Sequence, residues 1–296
     1  MRRRLAQLNV WGEEARRRSV AAFYRTYDQA LAWSRQVRDR LGTQPGAVPD
    51  VVVPPLAAAR VPDGMRVYAF GDIHGRADLL ERLFEEVEAD IEANKGDDEV
   101  TFIFLGDYVD RGFQSKDVID FLLSERVQKF QTVCLKGNHE EALQRFMQDP
   151  NFGPRWAGYG GAETLSSYGV RPPRTRTVGE EWADACQALS AAMPIEHRAF
   201  LSRLEISAEI GDYVFVHAGL RPGRPLEDQT EEDALWIREA FLKDTSRFER
   251  VVVHGHTPIS VPHHDYRRVG IDTGAYLTGR LTAACFVRDQ VEFFTT

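Results

Sequence analysis

MRVYAFGDIHG (65–75), VTFIFLGDYVDRG (100–112) and TVCLKGNHE (132–140) carry one plan three times over. Each opens on a short apolar run of strand length. Each then breaks at a glycine, followed by Asp72, Asp107 or Asn138. After the first break Leu80, Leu83, Phe84, Val87 and Ile91 recur at helical spacing. Lys116 to Leu123 and His139 to Met147 read as helices after the second and third. Strand, polar loop and helix in alternation predict parallel βαβ units. In open sheets of that kind, ligands sit beyond the carboxyl ends of the strands, where all three polar clusters fall.

Two later apolar runs end the same way, in His217-Ala218-Gly219 and in His254-Gly255-His256-Thr257. Gly-Asp is common in turns and a lone histidine is usually satisfied locally, so any one cluster is weak evidence. Five clusters at five strand ends would bring Asp, Asn and His side chains to one rim. Carboxylates and imidazoles without thiolates suit Mn²⁺, Fe²⁺ or Zn²⁺. Two such ions sharing a carboxylate, about 3.5–4 Å apart, can clamp an in-line displacement at phosphorus. The stretch 150–204 reads as mainly helical, and further strands are expected at 205–210, 213–217, 250–254, 268–272, 281–288 and 291–295.

The rest of the chain sets bounds. It has 296 residues, 43% hydrophobic and 28% charged, enough to bury a core and too apolar for global disorder. No apolar run approaches the roughly 20 residues that span a bilayer, and no secretory leader is expected. The formal charge of −8 argues against nucleic acid as a partner. Three widely spaced cysteines, Cys134, Cys186 and Cys285, fit a reducing, cytoplasmic setting better than a disulfide scaffold.

Charge is unevenly placed. Residues 1–40 carry ten arginines against four acids, leaving −14 for the remainder. Phe23, Tyr27 and Leu31 recur there near helical spacing, which predicts one or two amphipathic helices. They would pack on the body of the protein, or dock to a partner or an anionic membrane surface. Residues 42–64 hold Pro45, Pro49, Pro54, Pro55 and Pro62, and read as an extended connector. The expected organisation is therefore a basic helical extension with a proline-rich linker over 1–64 and a catalytic domain over 65–296.

Taken together, GDIHG, GDYVDRG and GNHE, followed by HAG and HGHTP, resemble the signature of the phosphoprotein phosphatase family of metallophosphoesterases, in its bacterial form. The resemblance spans residues 71–257. It implies an α/β fold in which two β-sheets pack as a sandwich flanked by helices, and a site holding two divalent metal ions, Mn²⁺ foremost, with Fe, Zn or Mg as alternatives. By that resemblance Asp72 and His74 ligate the first ion and Asp107 bridges both. Asn138, His217 and His256 ligate the second. Arg111 grips phosphate oxygens, a task suited to a planar bidentate donor. His139 is the proton donor to the leaving oxygen, with Asp110 orienting it. Arg238, expected inside a helix, is the second phosphate arginine.

The activity implied is hydrolysis of phosphoserine, phosphothreonine or phosphotyrosine in a protein or peptide substrate, by attack of a metal-held hydroxide. Hydrolysis of a dinucleoside polyphosphate is the alternative, and an inactive scaffold on the same fold is a remote third. Symmetrical diadenosine tetraphosphatases tend to lack the aspartate at the Asp110 position and to carry glutamine at that of His74, so both residues favour the phosphatase. His254 is expected to support a ligand or a carboxylate, and His197, His263 and His264 to face solvent. Trp156, Tyr159 and Tyr168 are candidates to line a substrate groove, with core packing expected for at least one.

Overall fold

The computed structural model describes residues 59–296. The expected basic helices, and the connector up to residue 58, lie outside the described residues. Among the described residues ten strands form two five-stranded sheets. The first contains β1 (Met65–Phe70), β2 (Glu99–Phe104), β3 (Gln131–Cys134), β9 (Thr282–Val287) and β10 (Gln290–Thr295), in the order β10-β9-β1-β2-β3. The second contains β4 (Ser207–Ile210), β5 (Tyr213–Val216), β6 (Val251–His254), β7 (His263–His264) and β8 (Arg268–Gly270), in the order β4-β5-β6-β8-β7. β1, β2 and β3 run parallel, as do β5, β6 and β8, while the remaining strands pair antiparallel. The two-residue β7 has no signal in the sequence.

The period of two along a strand decides which face each side chain serves. In β1, Val67 and Ala69 join Ile103, Tyr213, Phe215 and Val253 in a core between the sheets. Tyr68 and Phe70 point the other way, into a core under the helices. There Phe70 stacks on Phe104 at 4.5 Å between ring centroids. α1 (Ala77–Asn94) closes that core with Leu80, Leu83, Phe84, Val87 and Ile91, one stripe of a 3.6-residue period. α2 (Ser115–Leu122), α3 (Asn138–Gln148), α4 (Gly161–Ser167), α5 (Glu180–Ala192) and α6 (Ile195–Ser202) complete this layer. α7 (Glu231–Trp236) helps cover the outer face of the second sheet, where Val214, Val216 and Val252 meet Ala234 and Phe241. Among the described residues no helix is long and apolar enough to cross a membrane.

Parallel strands end together. The carboxyl ends of β1, β2, β3, β5 and β6 deliver Asp72, Asp107, Asn138, His217 and His256 to one rim, and backbone bonds join their loops. His74 N donates to Asp107 O at 2.8 Å, Gly75 N to Tyr108 O at 2.9 Å, and Gly255 N to His217 O at 2.8 Å.

Candidate metal centre

Asp107 sits in the middle. Its Oδ2 is 3.4 Å from His74 Nε2 and 3.8 Å from His139 Nε2. Its Oδ1 is 3.4 Å from His217 Nε2 and accepts from His139 N at 3.0 Å. Two groups of converging donors share it, His74–Asp107–His139 and Asp107–His217–His256. Burial alone would raise the Asp107 carboxyl, but His217, His139, His74 and His256 outweigh it and hold the group far below the usual carboxylate range.

Backbone carbonyls set the imidazoles. His74 Nδ1 faces Val109 O at 3.0 Å and His217 Nδ1 faces Leu105 O at 2.8 Å. A carbonyl only accepts, so each Nδ1 carries the proton and each Nε2 turns a lone pair inward. His217 Nε2 meets Asn138 Oδ1 at 2.9 Å and His256 Nδ1 at 3.2 Å. Electron pairs gathered this closely repel one another unless a proton or a cation lies among them. His256 Nε2 is buried without any partner among the described residues. Burial also holds His74 and His217 below the ordinary histidine range, and with His217 beside it pushes His256 down to about 2. Burial thus favours the neutral imidazole, the form that ligates metal. The donor set therefore fits divalent cations, and those cations would supply Lewis-acid charge and lower the pKa of the attacking water.

Asp72 reaches the same rim but joins neither group. Both its oxygens take the backbone N–H of His256 at 3.1 Å. Desolvation, then the charges of Asp272 and Asp107, push it well above the carboxylate range. Asp272, unremarked in the sequence, is also buried; desolvation and the charge of Asp107 help push it up to about 6. Three carboxylates crowd here, with the Arg111 and Arg238 guanidiniums as counter-charges, and two of them still lie above the carboxylate range, a second argument for cations.

His139 and Asp110, expected as proton donor and orienting carboxylate, are held together. His139 Nδ1 lies 2.7 Å from Asp110 Oδ2, which also accepts from Trp156 Nε1 at 3.0 Å, and Asp110 Oδ1 accepts from Thr164 Oγ1 at 2.7 Å. Trp156 is thus a core residue, stacked on Phe146, and not part of a groove. Tyr168 is buried too. Its hydroxyl meets His197 Nδ1 at 2.8 Å, and His197 Nε2 meets Asp120 Oδ1 at 2.9 Å. His197 therefore corrects the expectation of a solvent-facing ring; it braces α6 against α2. His254 is buried against Gly255 O and Arg268, with no carboxylate partner among the described residues. Arg238 lies between two helices, with non-helical φ of −133°, not inside one. Its Nη1 donates to His256 O at 3.0 Å and to Thr257 Oγ1 at 3.1 Å. Much of the side chain is open to solvent. Desolvation of its inner part and the facing charge of Arg111 lower its pKa. Arg111 lies 4.5 Å over the Tyr276 ring, which fixes its approach.

Besides Asp272, two features escaped the sequence reading. His74, Asp107, Asp110, Arg111 and His256 all have φ between 48° and 71°, the left-handed region that non-glycine residues avoid. Each costs of order 1–3 kcal/mol and persists only where surroundings over-determine it. Glu140 is the main such support. It is fully buried, and its carboxylate accepts from Asp107 N at 2.8 Å, Tyr108 N at 2.8 Å, Val109 N at 3.2 Å and Gly137 N at 2.9 Å. Gly137 is needed beneath it, since a Cβ there would lie 2.2 Å from Asp107 Oδ1. Glu140→Ala should strand four buried donors and lower unfolding free energy by at least about 4 kcal/mol. Urea denaturation checks this, and a loss under 1 kcal/mol, on the order of one ordinary hydrogen bond, would contradict it.

A two-sheet sandwich with this donor set at the shared strand ends defines a metal-dependent phosphoesterase. The chain belongs to the calcineurin-like phosphoesterase family, which matches residues 65–286 and whose members use divalent metals. It is 29% identical over 252 residues to the asymmetrical bis(5'-nucleosyl)-tetraphosphatase PrpE of Halalkalibacterium halodurans, covering 77% of this chain and 92% of that one. It is 27% identical over 234 residues to the protein of the same name from Anoxybacillus flavithermus, covering 72% and 87%. A crystal structure described provisionally as a diadenosine tetraphosphatase superposes with a TM-score of 0.53 at 23% identity, covering 80% of this chain and 98% of that chain. A variant of a cold-active protein tyrosine phosphatase gives 0.50 at 14% identity, covering 81% and 82%.

These relatives overturn the expected phosphoprotein phosphatase in favour of the dinucleotide alternative. The reason is physical. The motifs hold metal and phosphate oxygens, which every phosphorus ester presents alike. The argument from His74 and Asp110 was aimed at symmetrical tetraphosphatases, whereas the relatives are named asymmetrical.

Proposed function

We propose that this protein hydrolyses dinucleoside polyphosphates asymmetrically, with diadenosine tetraphosphate as the representative substrate. The reading is carried by identity to two asymmetrical tetraphosphatases over 92% and 87% of their lengths. His74, Asp107, Asn138, His217 and His256, with Asp72 beside them, would hold two divalent ions, Mn²⁺ being the first to try. Arg111 and Arg238 bind the non-bridging oxygens of the attacked phosphate. A water loses a proton to solvent, its oxygen forms a bond to phosphorus, and a bridging P–O bond breaks opposite it. His139 Nε2 hands a proton to the departing oxygen while Asp110 fixes the ring. Three free thiols among the described residues, Cys134, Cys186 and Cys285, support the cytoplasm as the setting.

The test is product analysis. Purified protein with Mn²⁺ and diadenosine tetraphosphate should yield AMP and ATP in equal amounts by anion-exchange chromatography. Two molecules of ADP, or no turnover alongside brisk release of phosphate from a phosphopeptide, would refute the assignment.

A further inference from the structure

Beyond the metal centre, two rings stand against it without belonging to it. The Tyr159 ring lies 6.2 Å from that of His139, and the Trp236 ring 6.3 Å from that of His256. The two rings are 6.0 Å apart, tilted by 56°. Both residues are half-buried, unlike the enclosed Trp156; Tyr159 packs partly against the core under the helices, and Trp236 joins no core cluster among the described residues. Their polar edges are already tied. Arg155 Nε donates to the Tyr159 hydroxyl at 2.7 Å, and Trp236 Nε1 donates to Glu141 Oε2 at 2.7 Å. The orientations are thus preset, with the Arg155 guanidinium 6.0 Å over the Tyr159 ring, and both rings stand beside the reaction centre. Tyr276, the third aromatic residue at the rim, is covered by Arg111.

We propose that Tyr159 and Trp236 form a stacking platform for the purine base of the nucleoside attached to the attacked phosphate. The proposal rests on the dinucleotide reading and deepens it. Asymmetrical cleavage of a four-phosphate bridge releases a nucleoside monophosphate, so the attacked phosphorus can carry its nucleoside directly. The base is then one ribose away, where rings in contact with His139 and His256 can meet it. Symmetrical cleavage would put a second phosphate between the attacked phosphorus and either nucleoside, and carry the base past this pair. A flat heterocycle meets fixed aromatic faces with little ordering cost.

Calorimetric titration of the Mn²⁺-loaded protein with AMP and with ribose 5-phosphate tests this, because the two differ only by the base. AMP should bind about tenfold more tightly, the size expected for one stacked base. Trp236→Leu and Tyr159→Leu should each bring the ratio toward one, while Trp236→Phe and Tyr159→Phe retain most of it. Equal affinities in the unmodified protein, or an unchanged ratio in folded leucine variants, would overturn the platform. Should a leucine variant fail to fold, the unmodified protein's ratio still decides. The outcome is separable from the activity: dinucleotide turnover with no AMP preference removes the platform alone, and AMP preference without turnover removes the substrate reading alone.

Discussion

Replacing Asp107 with asparagine should lower kcat/KM by about 10⁴-fold, equivalent to about 5 kcal/mol of transition-state stabilisation. The side chain is the one member common to both donor groups. Asparagine preserves its shape and can still accept from His139 N, so the packing lost is small. What goes is the single negative charge that His74 and His217 both face at 3.4 Å. Metal content after gel filtration should fall by at least half, while thermal unfolding of the metal-stripped variant stays within a few degrees of the metal-stripped parent. Undiminished metal content with full activity would show that the two groups do not act as one centre. A large drop in metal-free stability would instead make Asp107 a structural residue.

Much of this centre could be read from the chain because its signals are local. A strand, a glycine and a polar residue are adjacent in sequence, so Asp72, Asp107, Asn138, His217 and His256 fell on strand ends as expected. What could not be read depends on distant partners. Asp110 is held by Trp156 and Thr164, 46 and 54 residues onward, and no spacing rule links them. Glu140 was visible within GNHE, yet its role exists only once β2 and β3 lie side by side. His197 resembled any surface histidine until Tyr168 and Asp120 enclosed it. Substrate class was hidden for a related reason. The motif residues answer to phosphorus and metal, whereas Tyr159 and Trp236, 77 residues apart, meet only in the folded chain.

The role of His139 is where geometry leaves two accounts to be separated, and His139→Asn separates them. The ring belongs to the group His74–Asp107–His139. Yet its Nδ1 is committed to Asp110 at 2.7 Å, and its Nε2 stands 3.8 Å from Asp107 Oδ2, farther out than that of His74. A proton donor in that position matters in proportion to the basicity of the leaving oxygen. General acid catalysis is worth about 10²–10⁴-fold. The variant should therefore lose about 10²-fold on diadenosine tetraphosphate, whose leaving group is a weakly basic polyphosphate oxygen, and more on phosphate esters with basic leaving groups. Across substituted aryl phosphates the loss should grow steadily as the phenol becomes less acidic, with metal content unchanged. A ligand would behave differently: its removal would cut every substrate by the same factor and lower the bound metal with it. The slope of rate against leaving-group acidity, measured beside metal content, assigns His139 to one role or the other.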